Sequence, residues 1–359
     1  MTHSEFKEAA RRLQIEFKEK ELGVKGFPYR KIKGKEDPIP VKSSLQNTRE
    51  DMCDANGNYR IFFSGISREI TEYLDRKKPQ FSDQMLTNLL RSVHIPYNIF
   101  FPMLHDKEGA AKIFNKILGS DRIAEVTDIR IEYNPAEPKP NPEKPSERIY
   151  QPGGLKDGTA FDVYVEYIPI NAGQNDRGVI GIEVKYTEKE YPLVKFANKE
   201  KTEVTKEWRE THDENGIHIA DNYRIPTENS GWFKPECFKD VPFEDIKRGL
   251  SHVVKNRYRQ IWRNHILGAA MLQEGLITEF TSLTLYPKEN GHFHGDKGAL
   301  QDYKKSMLTE SGANTFKSVT YEEMFEYMKE SLNPDVFPYL DEWISYLHRR
   351  YLVQFEAHK

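Results

Sequence analysis

Glu183 and Lys185 stand two residues apart in the string Gly181-Ile182-Glu183-Val184-Lys185, and Asp162 sits between Phe161 and Val163 in an earlier apolar run. On a β-strand, residues two apart point to the same side, so Glu183 and Lys185 share a face while Val184 points into the protein. If the two runs are neighbouring strands, two carboxylates and one ammonium converge at one rim of a sheet. That set suits cleavage of a phosphodiester. A hard divalent cation, Mg²⁺ with Mn²⁺ as a substitute, takes carboxylate and water oxygens. Such a cation polarises the phosphoryl group and stabilises the leaving oxygen. A neighbouring lysine orients or deprotonates the attacking water and offsets charge developing at phosphorus. A Glu-x-Lys alone is more often a solvated strand face; here the apolar flanks and the preceding aspartate argue for a site.

The elements that must position these residues are readable in outline. Residues 159–168 and 179–187 alternate as strands, and the glycine-containing stretch 171–178 can reverse the chain into an antiparallel pair. Upstream, residues 106–118 carry a helical period ended by Gly119, and 123–133 read as a strand. Downstream, 246–273 form the strongest helical signal, followed by a strand at 279–286, a short strand at 316–320, and helices at 321–330 and 336–348. Earlier in the chain, 5–22 reads as an amphipathic helix, 60–65 as a short strand, and 66–76 and 83–92 as helices. The expected division is a mostly helical N-terminal region, 1–104, packing on a core, 105–359. The core is interrupted by a proline-rich loop at 134–154 and a weakly patterned insertion at 192–245.

The helix after Lys185 carries its own signal. Between Lys247 and His265 lie six basic residues and no acidic one. Arg259 and Arg263 share a face, with Gln260 and Asn264 displaced by one residue, and Lys255 lies a turn earlier. Beside the site, this face would contact phosphates or support the reacting groups. Solvated helix faces usually mix signs, so the absence of acids favours binding. Tyr258 and Trp262 are expected in the core.

Asp162 followed by Gly181-Ile182-Glu183-Val184-Lys185 resembles the PD-(D/E)xK nuclease superfamily, which includes restriction, recombination and repair nucleases. The resemblance implies an α/β, restriction-endonuclease-like core, a central mixed β-sheet flanked by helices, laid over roughly 106–286 in order. By that likeness Asp162 and Glu183 are the metal-binding carboxylates and Lys185 the active-site lysine. Many members add an acid from the first core helix, and Glu108 falls there; acids at helix starts are common on dipole grounds alone. Phe161 stands where the motif's name would place proline. The implied activity is Mg²⁺-dependent hydrolysis of DNA, of restriction or defence type. A structure-selective or exonucleolytic repair nuclease, and an inactive nuclease-like binding module, stay open. A homodimer is a further open arrangement, since restriction-type enzymes often cut both strands as dimers, but no residue marks an interface.

Composition sets bounds without choosing among these. Fifty-three basic residues against 56 acidic ones exclude a protein coated in positive charge, yet leave room for a basic groove beside an acidic site. The two cysteines, Cys53 and Cys237, are too few for a zinc site or a disulfide framework. With no signal-like N-terminus and no apolar run of membrane length, a reducing cytoplasmic setting is the simplest expectation. The chain has no nucleotide-binding glycine motif, and His292-Phe293-His294 reads as a loop.

Overall fold

A computed structural model describes residues 1–32, 36–77, 83–135, 139–140, 142–144, 148–149, 159–188, 236–239 and 258–353. Most of the expected proline-rich loop and insertion, and residues 246–257 of the expected long helix, lie outside the described residues.

Helix α1 (His3–Lys20) begins at a capping box in which Thr2 and Glu5 satisfy each other's backbone amides. Helix α2 (Ser67–Lys77) follows, and after several short turns of helix comes α3 (Lys107–Leu118). Asp106 caps α3 through the Gly109 amide at 2.8 Å, and Gly119 ends it at φ +72°, a conformation glycine adopts without a Cβ penalty. The chain then runs through β1 (Ile123–Tyr133), β2 (Phe161–Pro169) and β3 (Gly178–Val184). Helix α4 (Arg259–Gln273), β4 (Glu279–Tyr286), α5 (Ala299–Met307) and β5 (Phe316–Thr320) come next, before α6 (Tyr321–Ser331) and α7 (Leu340–Tyr351).

The five strands lie in sequence order in one sheet. The first three form an antiparallel meander, and β4 and β5 add in parallel. Parallel neighbours require a crossover, and α4 supplies it between β3 and β4. Helices α3 and α6 cover one face, where Ile180, Ile182 and Val184 meet Ile113, Phe114, Met324 and Phe325 in one apolar cluster. Helix α4 covers the other, packing Ile261, Trp262 and Ile266 with Val179 and Phe280. The expected α/β core with a helical N-terminal region is the observed fold.

Central strand β3 is buried along its whole length. Glu183 and Lys185, read from sequence as a polar face, are therefore almost fully enclosed, because a strand covered on both sides has no solvent face. On β1 the buried residues are Ile123, Val126, Ile129 and Ile131, spaced by three and then two. Register shifts between Ile123 and Glu125 and between Val126 and Asp128 account for the irregular period.

Residues 60–65 do not form the expected strand. Part of their backbone is satisfied by a side chain: Asn98 Oδ1 accepts from Phe63 N at 2.9 Å, and Asn98 Nδ2 donates to Ile61 O at 3.1 Å. The expected helix at 83–92 covers only Asp83–Thr87, after which Asn88 bridges to Ser44. Helix α5, in a region where no helix was expected, packs Tyr303 against Phe316. The N-terminal helices share the main apolar cluster with the sheet: Phe6, Ala10 and Phe17 of α1 join Tyr186, Tyr346 and Tyr351.

Candidate active site

The sheet register sets the site. Tyr133 pairs with Phe161 and Ile131 with Val163, so Glu132 falls opposite Asp162. The β2–β3 pairing, which ends at Val163 with Ile182, places Asp162 opposite Glu183. Three carboxylates thus form one row across three adjacent strands, spaced by the roughly 4.8 Å between neighbours in a sheet. Beyond Ile182 the β2–β3 ladder stops, and Asp162 Oδ2 takes the Val184 amide at 2.7 Å. The aspartate therefore closes the end of the pairing as well as facing the other acids.

Lys185 follows β3 directly and is held at both ends of its peptide. Its N–H donates to Leu285 O at 2.8 Å, and its carbonyl accepts from the buried Tyr321 hydroxyl at 2.6 Å. The ammonium lies 2.8 Å from Glu183 Oε1 and also donates to Gln260 Oε1. Asn264 Nδ2 approaches the other Glu183 oxygen at 3.4 Å. Gln260 and Asn264, one turn apart on α4, thus both face the site. Gly181 lets α4 come this close: a Cβ there would stand 2.3 Å from the Phe161 ring and 3.1 Å from Asn264 Oδ1.

These groups line one cavity of about 170 Å³. Glu132, Asp162, Glu183, Lys185 and Gln260 of the core line it. Met85, Arg91, Ser92 and Val93 of the N-terminal region line it as well, with Glu188 from the segment after β3. Enclosure and crowding act on the acids together. Burial first, then the charges of Glu183 and Glu132, push the Asp162 carboxyl well above the usual carboxylate range, against the opposing pull of the Val184 amide and Lys185. The Glu132 carboxyl is pushed up to about 7, by desolvation first and by Glu183 second. Glu132 also holds φ at +51°, in the left-handed region that costs a residue with a Cβ of order 1 kcal/mol. Strain and charge crowding fall on the same residue.

The donor set is all oxygen, partly enclosed and short of positive charge, which suits a hard divalent cation. Among the described residues no three His, Cys, Asp or Glu side chains are already gathered as ligands, and Glu183 is paired with Lys185. The residues fit a cation by chemistry and by row, with Glu132, Asp162 and Glu183 as the carboxylates that would hold it.

The expected residues divide clearly. Asp162, Glu183, Lys185 and Gln260 line one cavity, and Asn264 reaches it through Glu183. Glu108 does not join them: its side chain is 82% exposed and pairs with Lys112 at 2.7 Å on the surface of α3. A carboxylate at the first turn of α3 stays in water beside its i+4 lysine, while the third acid comes from β1. Sequence reasoning missed Glu132; its signal was an acid at the end of the first core strand, which only the register sets opposite Asp162. Arg263 Nε donates to Thr159 Oγ1 at 2.9 Å, next to the start of β2. Arg259 begins α4, its side chain and Lys255 lying outside what the structure describes. Tyr258 and Trp262 are core residues, as expected. His294 Nδ1 and the Tyr286 hydroxyl lie 3.2 Å apart in a turn at the end of β4.

No helix among the described residues is long and apolar enough to cross a membrane. Comparison with curated proteins and with solved structures gives no match. Comparison with models of protein families matches the PD-(D/E)XK nuclease superfamily over residues 2–353. With a match across nearly the whole chain, and with Asp162 and Glu183-x-Lys185 in one cavity at the C-terminal end of the central strand of a mixed sheet, this protein belongs to the PD-(D/E)XK nuclease superfamily.

Proposed function

We propose that this chain hydrolyses phosphodiester bonds of DNA in a reaction dependent on a divalent cation, as an endonuclease of restriction or defence type. The observation that carries the reading is the row Glu132–Asp162–Glu183 facing the Lys185 ammonium in one cavity. Glu132, Asp162 and Glu183 would hold Mg²⁺ or Mn²⁺, which when bound polarises the phosphoryl group and lowers the cost of charge on the leaving oxygen. The chain's own contribution is positional. Glu183 and Gln260 fix the Lys185 ammonium at the inner wall, where it can orient an attacking water and face charge developing at phosphorus. Asn264 steadies Glu183 from behind, and the Val184 amide steadies Asp162. The enclosure of Lys185, 2% exposed, keeps this electrostatic work out of bulk water.

The intact set of acids and lysine favours an enzyme over an inactive binding module, since Asp162 and Glu132 are held in an unfavourable electrostatic state that a binding role does not need. The test is incubation of the purified protein with methylated and unmethylated plasmid, single-stranded DNA and RNA, with Mg²⁺, Mn²⁺ or EDTA. Cleavage of a DNA substrate that EDTA abolishes is expected. Activity confined to RNA overturns the substrate, and activity indifferent to EDTA overturns the chemistry.

A further inference from the structure

The cavity's outer wall comes from residues that precede the core, and it is fastened in place. Thr187 Oγ1 donates to Leu90 O at 3.0 Å. Glu188 Oε1 accepts the Ser92 amide at 2.9 Å, while its other oxygen accepts the Tyr186 amide at 3.2 Å. Within the wall, Asn88 Oδ1 accepts from Leu90 N at 3.1 Å, and Asn88 O accepts from Arg91 N at 3.1 Å. The segment carrying Arg91 is thus tied to the segment after Lys185 and turned upon itself, so its position relative to the carboxylates is built in.

Two cations line the cavity, Lys185 and Arg91. Lys185 is already engaged by Glu183 and Gln260. Arg91 is half-buried, and among the described residues its guanidinium makes no ion pair or hydrogen bond, although four carboxylates line the same space. An arginine held near acids yet paired with none has its planar fork of donors free for an oxyanion from outside. That geometry suits the two oxygens of a phosphodiester, which guanidinium binds in bidentate fashion.

We propose that Arg91 is a substrate-binding residue that grips a backbone phosphate of the nucleic acid in the cavity it shares with Glu132, Asp162 and Glu183. The N-terminal region then completes the active site, and removing it would remove a phosphate contact. This rests on the nuclease reading above, and the test separates the two.

The experiment compares full-length wild type, Arg91→Ala and Arg91→Lys in two assays. The first is binding of a fluorescein-labelled DNA duplex with Ca²⁺ in place of Mg²⁺, followed by anisotropy over a range of salt. Loss of one phosphate contact should lower the slope of log affinity against log salt by about 0.9 in Arg91→Ala. Arg91→Lys, which keeps the charge but not the fork, should recover most of that slope. The second assay is plasmid cleavage, in which Arg91→Ala should lose about 10- to 100-fold in kcat/KM. Thermal unfolding should be unchanged, since no partner of the side chain is lost. Equal salt slopes in wild type and Arg91→Ala, including no binding by either, overturn the proposal. Absence of metal-dependent cleavage in the wild type, with the slopes still different, overturns the nuclease reading and leaves the phosphate contact standing.

Discussion

Crowding three carboxylates into one row has a cost that a single substitution should expose. Glu132→Gln keeps the side chain's length and the positive φ but removes one charge. Raising the Glu132 carboxyl from its ordinary 4.5 to about 7 corresponds to about 3 kcal/mol of destabilisation once the pH exceeds the folded value. Coulomb's law gives a similar figure, about 3 kcal/mol for two charges roughly 5 Å apart at an effective dielectric of about 20. Glu132 as a residue is exposed at the cavity mouth, so solvent screening reduces this to about 1–2 kcal/mol. An acid whose pKa is raised on folding weakens the fold as pH climbs from its unfolded to its folded value. The penalty is complete above about pH 7 and absent below about pH 4.5. In EDTA at pH 8, Glu132→Gln should therefore unfold about 1–3 °C higher than wild type, and the gap should close toward pH 5. Adding Mg²⁺ should stabilise wild type more than the variant, since a ligand that binds only the folded state shifts the equilibrium by mass action. Thermal unfolding followed by circular dichroism at both pH values reads all of this. A variant less stable than wild type at pH 8, or a gap that ignores pH, would show that neither burial nor the neighbouring Glu183 penalises the Glu132 charge.

Three other outcomes follow from the packing. Gln260→Ala should lower the cleavage rate by about 10-fold while leaving the unfolding temperature within about 1 °C, because it removes one of the two side chains that hold the Lys185 ammonium without opening the core. Gly181→Ala should cost about 1–3 kcal/mol in a denaturant titration, since its Cβ would collide with the Phe161 ring and press on Asn264. Burial pushes the His265 imidazole down to about 3 from its ordinary 6.5. Unfolded chains then bind the extra proton, and this histidine alone should remove about 2 kcal/mol of stability between pH 7 and pH 5, read as a pH-dependent loss that His265→Gln lacks.

The strands and helices of the core were legible because their periods are strong: β2 alternates cleanly and α3 ends at its glycine. Asp162, Glu183 and Lys185 were legible because polar residues interrupt apolar runs at a spacing of two. Register was not legible, and register is what brings Glu132 into the row and leaves Glu108 outside it. The bulges in β1 shift its pairing by one residue at a time, and nothing in the local sequence announces them. The enclosure of Lys185 was equally hidden, since it depends on α4 packing over β3 through the gap left by Gly181. Residues 60–65 failed as a strand because Asn98, distant in sequence, takes Phe63 N and Ile61 O in place of a neighbouring strand. Arg91 carried no signal of its own; its place follows from Glu188 and Thr187 fastening its segment beside the site.

The central claim is that Asp162 and Lys185 carry a cation-dependent cleavage. The most direct measurement is the rate of plasmid or genomic DNA cleavage by wild type, Asp162→Ala and Lys185→Ala across a Mg²⁺ or Mn²⁺ titration, with circular dichroism confirming that each variant is folded. The account predicts cleavage by wild type that rises with the cation and vanishes with EDTA, and a loss of about 100-fold or more in both folded variants. Folded variants that cut as fast as wild type would contradict it.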